Sequence, residues 1–173
     1  NIYQGKADIG IIPNSNPAGF AARHEPVFGV RPILDLPMAV AIPTSWGIDS
    51  PTVDLAELAH RTWLIPVADS WFEGLPELLV REWAANPATR PTDIIRVSTL
   101  QTALPLVASE VGIAIVPELT EMIAPRGVSI YRLSNAITPL TLLAFWNRQR
   151  PLTPSTQRFI HALEELHPAA SPQ

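Results

Sequence analysis

The sequence predicts an α/β fold, and three observations carry that reading. First, residues 94–118 switch periodicity twice: a short β-branched run (Ile94-Ile95-Arg96-Val97), an amphipathic helical segment, then a second apolar run (Ile113-Ala114-Ile115-Val116). That pattern is a strand–helix–strand crossover. Second, further short apolar runs (Ala7–Ile12, Leu34–Ile42, Trp63–Val67, Leu140–Trp146) recur along the chain, interspersed with helical patterns. Third, 173 residues at 47% hydrophobic content can bury a sizeable core, as one domain or two small lobes.

In order, Asn1–Gln4 reads as the end of a helix closed by Gly5, and Ala7–Ile12 as a buried strand in which Asp8 bonds nearby backbone. Pro13-Asn14-Ser15-Asn16-Pro17 is a turn cluster at the carboxyl end of that strand. Val27–Val30 and Leu34–Ile42 are extended runs separated by Arg31-Pro32. Asp54 caps a short helix with Glu57 at N3. Trp63–Val67 is a strand, and the loop Ala68–Phe72 lies at its carboxyl end. Leu75–Ala85 is an amphipathic helix with Leu75, Leu79 and Trp83 on one face and Glu77–Arg81 spaced for an i,i+4 pair.

Within the crossover, Ser98 followed by Gln101 has the S-x-x-Q form of a capping box. Leu100, Leu104, Val107 and Val111 fall on one helical face, and Gly112 ends the helix. Pro105 removes one i→i−4 bond inside it. The arrangement leaves the hydroxyls of Ser98 and Thr99 at a helix N-terminus after a strand, where open α/β sheets hold small ligands and anions. Most capped helices bind nothing, so this geometry alone does not assign a ligand. Downstream, Leu119–Ile123 reads as a short helix, Gly127–Leu133 as a strand and Leu140–Trp146 as a return strand. Thr153-Pro154 opens a last helix with Phe159, Leu163 and Leu166 buried, and His167–Gln173 is a polar tail.

Composition removes several function classes. The net charge is −4 and the arginines are scattered, which argues against a nucleic-acid surface on this chain. No apolar run approaches the ~18 residues that span a bilayer, and residues 1–10 carry no charged-then-apolar signal pattern. Without cysteine there is neither disulfide nor thiolate chemistry. His24, His60, His161 and His167 lack metal-ligand spacing, so no metal and no cofactor is expected. Nucleophile-elbow, phosphate-loop and dinucleotide motifs are missing, and Glu73, Glu77 and Glu82 are explained by a polar helix face. An enzyme has little positive support.

Five segments, spread from Gln4 to about Leu163, resemble the effector-binding domain of LysR-type transcriptional regulators. Val107–Pro117 (VASEVGIAIVP) is similar to the signature V-a-a-G-x-G-i-a-l-v-P, with Glu110 in place of the first glycine. The run Gln4–Ile12 resembles l-x-x-G-e-l-D-l-a-i, Ile33–Pro43 resembles the strand crossing between lobes, and Val53–Ala59 resembles v-d-L-a-e-L-a. Gly127–Leu133 resembles the G-V-x-y-r-x-L of the aromatic-acid-responsive branch. Thr44-Ser45-Trp46 stands where many relatives carry His-Pro-Leu.

The resemblance implies a two-lobed type II periplasmic-binding-protein-like fold with two crossover strands. Lobe one would be residues 1–43 and 147–173, and lobe two residues 44–146. It further implies a cytoplasmic, non-enzymatic sensor that holds a small carboxylate-bearing effector in the interlobe cleft. The expected contacts are Ser98, Thr99, Leu100 and Val116, the turn Pro13-Asn14-Ser15, and Ile42 and Phe145 at the crossovers. Expected partners are a second copy (a dimer of effector domains, a tetramer at full length) and promoter DNA, reached only through a preceding winged helix-turn-helix; no membrane is involved. A strand and helix of the domain should also precede Asn1, with that strand beside Ala7–Ile12. A transporter's solute-binding protein and an enzyme on the same fold are the alternatives.

Overall fold

The computed structural model describes residues 7–68 and 73–166, with side chains as far as Leu163. The expectations for Asn1–Gln4, for most of the Ala68–Phe72 loop and for the C-terminal tail lie outside those residues. The chain forms two compact units, one running to Asp35 and resuming at Thr141, the other spanning Leu36–Leu140. These borders fall earlier than 43/44 and 146/147 because strand pairing sets them, as follows.

In the first unit, strands β1 (Ile9–Asn14), β2 (Phe28–Leu36) and β9 (Leu140–Asn147) form a sheet in the order β1-β9-β2. β1 and β9 are antiparallel, with Ile9 opposite Trp146 and Asn14 opposite Thr141. β2 is one strand rather than two runs broken at Arg31-Pro32. Pro32 is tolerated because β2 is an edge strand, where a missing N–H need not cost a ladder bond. The break comes instead at Pro37, between β2 and β3 (Met38–Pro43).

Helix α1 (Pro17–His24) follows the first strand and was not anticipated as a helix. Asn16 caps it, its Oδ1 accepting the Gly19 N–H at 3.0 Å, and Pro17 opens it. The helix exists to bury Phe20, which meets Phe145 edge-on at 5.6 Å; Phe28 meets the same ring at 5.6 Å. His24 lies tilted over Phe20 at 4.5 Å, and burial, with Arg23 adding to it, holds its pKa below the ordinary histidine value. The last helix, α5 (Pro154–Leu166), starts where Thr153 Oγ1 accepts the Thr156 N–H at 3.2 Å. Its buried face carries Thr156 and Ile160, not Phe159, which is 44% exposed. Thr156 Oγ1 donates to Asp8 Oδ2 at 3.2 Å, so Asp8 has a structural role, with a side-chain hydroxyl as donor.

In the second unit, β3 pairs antiparallel with both β7 (Ala114–Pro117) and β8 (Val128–Leu133), and short β4 (Thr52–Val53) runs parallel to β8. β5 (Thr62–Pro66) and β6 (Asp93–Val97) form a parallel pair, tied to the start of β7 by the Trp63–Ile113 bridge. α2 (Leu55–Leu58) is capped by Asp54, whose Oδ1 accepts the Ala56 N–H at 2.8 Å. In α3 (Leu75–Ala85), Glu77 reaches back to the Gly74 N–H at 2.7 Å while Arg81 meets Glu73 at 3.3 Å. Leu119–Ile123 belongs to a six-residue 3-10 turn, Glu118–Ile123, and not to an α-helix.

Helix α4 (Leu100–Ala108) packs Ala103, Leu104 and Val107 onto Ala39, Ala41, Ala114 and Val116, alternate residues of β3 and β7 that share a face of the sheet. Val111 lies beyond the helix and is 40% exposed, so the apolar face ends at Val107. The helix passes through Pro105 and closes with two bonds, Glu110 N–H to Val107 carbonyl at 2.9 Å and Val111 N–H to Leu106 carbonyl at 3.0 Å. That is a Schellman closure, with Glu110 in the left-handed position normally given to glycine (φ 62°). Ser45 Oγ donates to Glu110 Oε1 at 2.7 Å, holding the strained residue from outside the helix.

Candidate functional site

The sequence-derived ligand residues divide between the two units, and each set is built differently. In the second unit, β6 delivers the chain to Ser98, and Thr99 is extended (φ −147°, ψ 166°) before α4 begins at Leu100. The N-cap is therefore Thr99 and not Ser98. Thr99 Oγ1 accepts the Thr102 N–H at 3.2 Å, and the S-x-x-Q box has no role because the helix starts one residue later than that pattern requires.

Thr102, which sequence reasoning passed over, joins the hydroxyl set. Its Oγ1 lies 3.0 Å from Ser98 Oγ and 3.0 Å from Thr99 Oγ1. Each of these two contacts consumes one hydroxyl proton. Three hydroxyls hold three protons, so one remains to donate outward, from Ser98, Thr99 or Thr102 according to which of them donate in the two contacts. Beside it, the N–H groups of Leu100 and Gln101 have no acceptor within the helix. Ser98, Thr99, Gln101 and Thr102 are all exposed. The arrangement is a cluster of donors at the positive end of a helix dipole, which suits an anionic acceptor such as a carboxylate.

The other residues of that set serve the core. Leu100 packs against the α4 cluster, Val116 is 0% exposed within it, and Ile42 is 0% exposed with the residues of β3 that face away from Ala39 and Ala41. Neither Ile42 nor Val116 offers a side-chain surface. In the first unit, Phe145 is likewise enclosed, by Phe20 and Phe28. Pro13 and Asn14 are the last residues of β1 and not the start of a turn. Asn14 is 0% exposed; its Oδ1 accepts the Asn16 N–H at 2.7 Å, and its Nδ2 has no partner. Pro13 and Ser15, on either side of it, are half-buried.

Two open cavities of about 500 Å³ each lie elsewhere in the second unit, one beside Trp83 and Arg96, the other beside Trp46 and Arg61. Arg61 stacks on the Trp46 ring at 4.3 Å. Among the described residues no three His, Cys, Asp or Glu side chains converge to hold a metal, and no helix is long and apolar enough to cross a membrane.

Comparison with known proteins gives a consistent result. A family model described as the LysR substrate binding domain matches residues 1–168. Among solved structures, the LysR family transcriptional regulator CbnR superposes with a TM-score of 0.74 at 16% identity, over 95% of this chain and 54% of that one. The effector binding domain of QuiR in complex with shikimate gives 0.72 at 17%, over 94% of this chain and 72% of that one. The BenM effector binding domain with its effector benzoate gives 0.64 at 21%, over 99% and 77%. At these identities the structures speak for the fold: two-lobed, mixed α/β and periplasmic-binding-protein-like. The chain spans about half of full-length CbnR. No curated protein matches it.

Proposed function

The chain belongs to the LysR substrate binding domain family, and from that premise we propose that it senses a small carboxylate-bearing effector for a bacterial transcription regulator, held at the N-terminus of α4. The observation that carries the reading is the donor set there: one outward hydroxyl proton from the Ser98–Thr99–Thr102 cluster beside the N–H groups of Leu100 and Gln101. Benzoate and shikimate, the molecules bound by the BenM and QuiR domains, are both carboxylates. The ligand is held and not turned over. The regulator works in the cytoplasm as a homo-oligomer, and DNA contact comes from a separate DNA-binding part.

The test is calorimetry on the chain with a panel of small aromatic and alicyclic carboxylates, benzoate and shikimate among them. Removing a hydrogen bond to a charged group costs roughly 1.5–3 kcal/mol, so Thr99→Val should weaken binding about tenfold or more. The same change removes the helix cap, worth ~1 kcal/mol, which the fold should survive. Thr99→Ser keeps both roles and should bind like the wild type. If no carboxylate binds the wild type, the ligand class is wrong; if Thr99→Val binds normally, Thr99 does not touch the ligand.

A further inference from the structure

The cavity beside Trp46 and Arg61, about 500 Å³, is lined entirely by residues of the second unit. His60 and Arg61 precede the amino end of β5, whereas Ser98 and Thr99 follow the carboxyl end of its parallel partner β6. A strand length, roughly 15 Å, therefore separates this cavity from the α4 hydroxyl cluster. Its floor is apolar: Val53 and Leu58 are buried and Ile48 is half-buried. Its rim carries two opposite charges, Glu57 and Arg61, both exposed.

Glu57 stands four residues ahead of Arg61, the order and spacing that favour an ion pair along a helix. The two do not pair, because α2 stops at Leu58 and Arg61 follows outside it. The Arg61 guanidinium lies instead on the Trp46 ring at 4.3 Å, a contact through its face that leaves its N–H edge unused. Among the described residues, no group hydrogen-bonds or ion-pairs with the side chain of Glu57 or of Arg61. Asp54 is not the missing partner of Arg61: its Oδ1 accepts the Ala56 N–H at 2.8 Å and its Oδ2 the Asn135 amide at 3.0 Å. The cavity thus presents one unused cation and one unused anion above an apolar floor.

We infer that this cavity is a second small-molecule site, for a zwitterion with an apolar side chain, in chemical class an α-amino acid. The carboxylate meets the Arg61 fork, the ammonium meets Glu57, and the side chain covers the apolar floor. Trp46 holds the guanidinium plane in advance, which lowers the ordering cost of binding. A plain carboxylate would satisfy Arg61 but face Glu57 at like charge, and a plain amine would do the converse. The site stands whether or not the α4 cluster binds the effector.

The experiment is nuclear magnetic resonance on the whole chain, following the Trp46 indole N–H during titration with L-leucine. Isocaproate, which is leucine without its amine, and isoamylamine, which lacks the carboxylate, are the comparisons. Leucine should give a saturable shift that persists in the Thr99→Val variant. Each single-charge analogue should bind about fivefold more weakly, the upper end of what an exposed ion pair contributes. Glu57→Gln should erase the advantage of leucine over isocaproate, and Arg61→Gln its advantage over isoamylamine. Both side chains are exposed, so neither change should unfold the chain. The inference is overturned if the Trp46 signal ignores leucine, if either analogue binds as tightly as leucine, or if Glu57→Gln keeps the full preference for it.

Discussion

Replacing Gly112 by alanine would place a Cβ 2.4 Å from the backbone oxygen of Thr62. Gly112 does not need glycine for its backbone angles, since it is not among the positive-φ residues. It needs glycine because two strands meet there. The Thr62 oxygen accepts the Ile113 N–H at 2.9 Å, and the Leu64 N–H donates to the Ile113 carbonyl at 2.7 Å, so this contact joins β5 to β7. A backbone oxygen cannot rotate away as a flexible side chain can. The methyl must push β7 off β5, loosening two buried hydrogen bonds at ~1 kcal/mol each, with a desolvation penalty where a group is left unpaired. Overpacking alone costs about 1–3 kcal/mol. The expected loss is therefore about 2–4 kcal/mol, or roughly 5–10 °C in melting temperature for a chain of this size. Urea unfolding followed by tryptophan fluorescence reads it directly, because Trp63 lies in β5 next to the contact. A midpoint unchanged from wild type would show that β5 and β7 are not held at this distance.

Other substitutions follow from the same geometry. Glu110→Gly relieves a left-handed residue worth about 1–2 kcal/mol but adds unfolded-state freedom of roughly 0.5–1 kcal/mol and gives up the Ser45 bond, worth about 0.5–1.5 kcal/mol; the three nearly cancel, so thermal melting should show little change, while Glu110→Val should melt lower than wild type. Gly19→Ala puts a Cβ 2.4 Å from Asn16 Nδ2 and displaces the α1 cap. The lost cap, ~1 kcal/mol, should cancel the ~1 kcal/mol that alanine ordinarily gains over glycine in a helix, so calorimetric melting should show almost no change. The chain carries −4, and affinity for duplex DNA rests on phosphate neutralisation; nanomolar, salt-dependent retardation of a promoter fragment by this chain alone would contradict the assignment.

The crossover at 94–117 was legible because its periodicity changes from two to 3.6 and back, and the structure returns it as β6, α4 and β7. α1 was not, because Pro13 and Pro17 bracket a polar stretch that reads as a turn. The signal present was Asn16 followed by Pro17, a cap residue with proline at N1. Pro32 and Pro37, two of the three prolines in the 28–43 region, look alike in sequence. Pro32 and Pro37 differ only in what lies beside them: an open sheet edge in the first case and a change of sheet in the second. In the candidate site, hydroxyls at a helix start could be read from residue types. The place of Thr102 could not, since its bonds to Ser98 and Thr99 exist only once the cap has settled on Thr99. The resemblance points to Ile42, Val116 and Phe145 by position alone, which says nothing about burial.

The two glycines of the family signature can now be separated by magnitude. At position 112 the alternative to glycine is a steric overlap with backbone, which no rotamer relieves, and this chain keeps glycine. At position 110 the alternative is a strained φ of 62°, about 1–2 kcal/mol, and this chain carries glutamate. The glutamate is not idle there: its carboxylate takes the Ser45 hydroxyl, tying the end of α4 to the turn that follows β3. Both residues therefore act on the same helix, one by letting β7 close onto β5 and the other by fixing the point where α4 stops. A nine-residue helix fixed at its C-terminus has its N-terminus fixed too, so the position of the Ser98, Thr99 and Thr102 hydroxyls depends on residues a helix length away. A change at Glu110 that leaves the melting temperature intact should still alter carboxylate binding if it lets α4 shift along its axis.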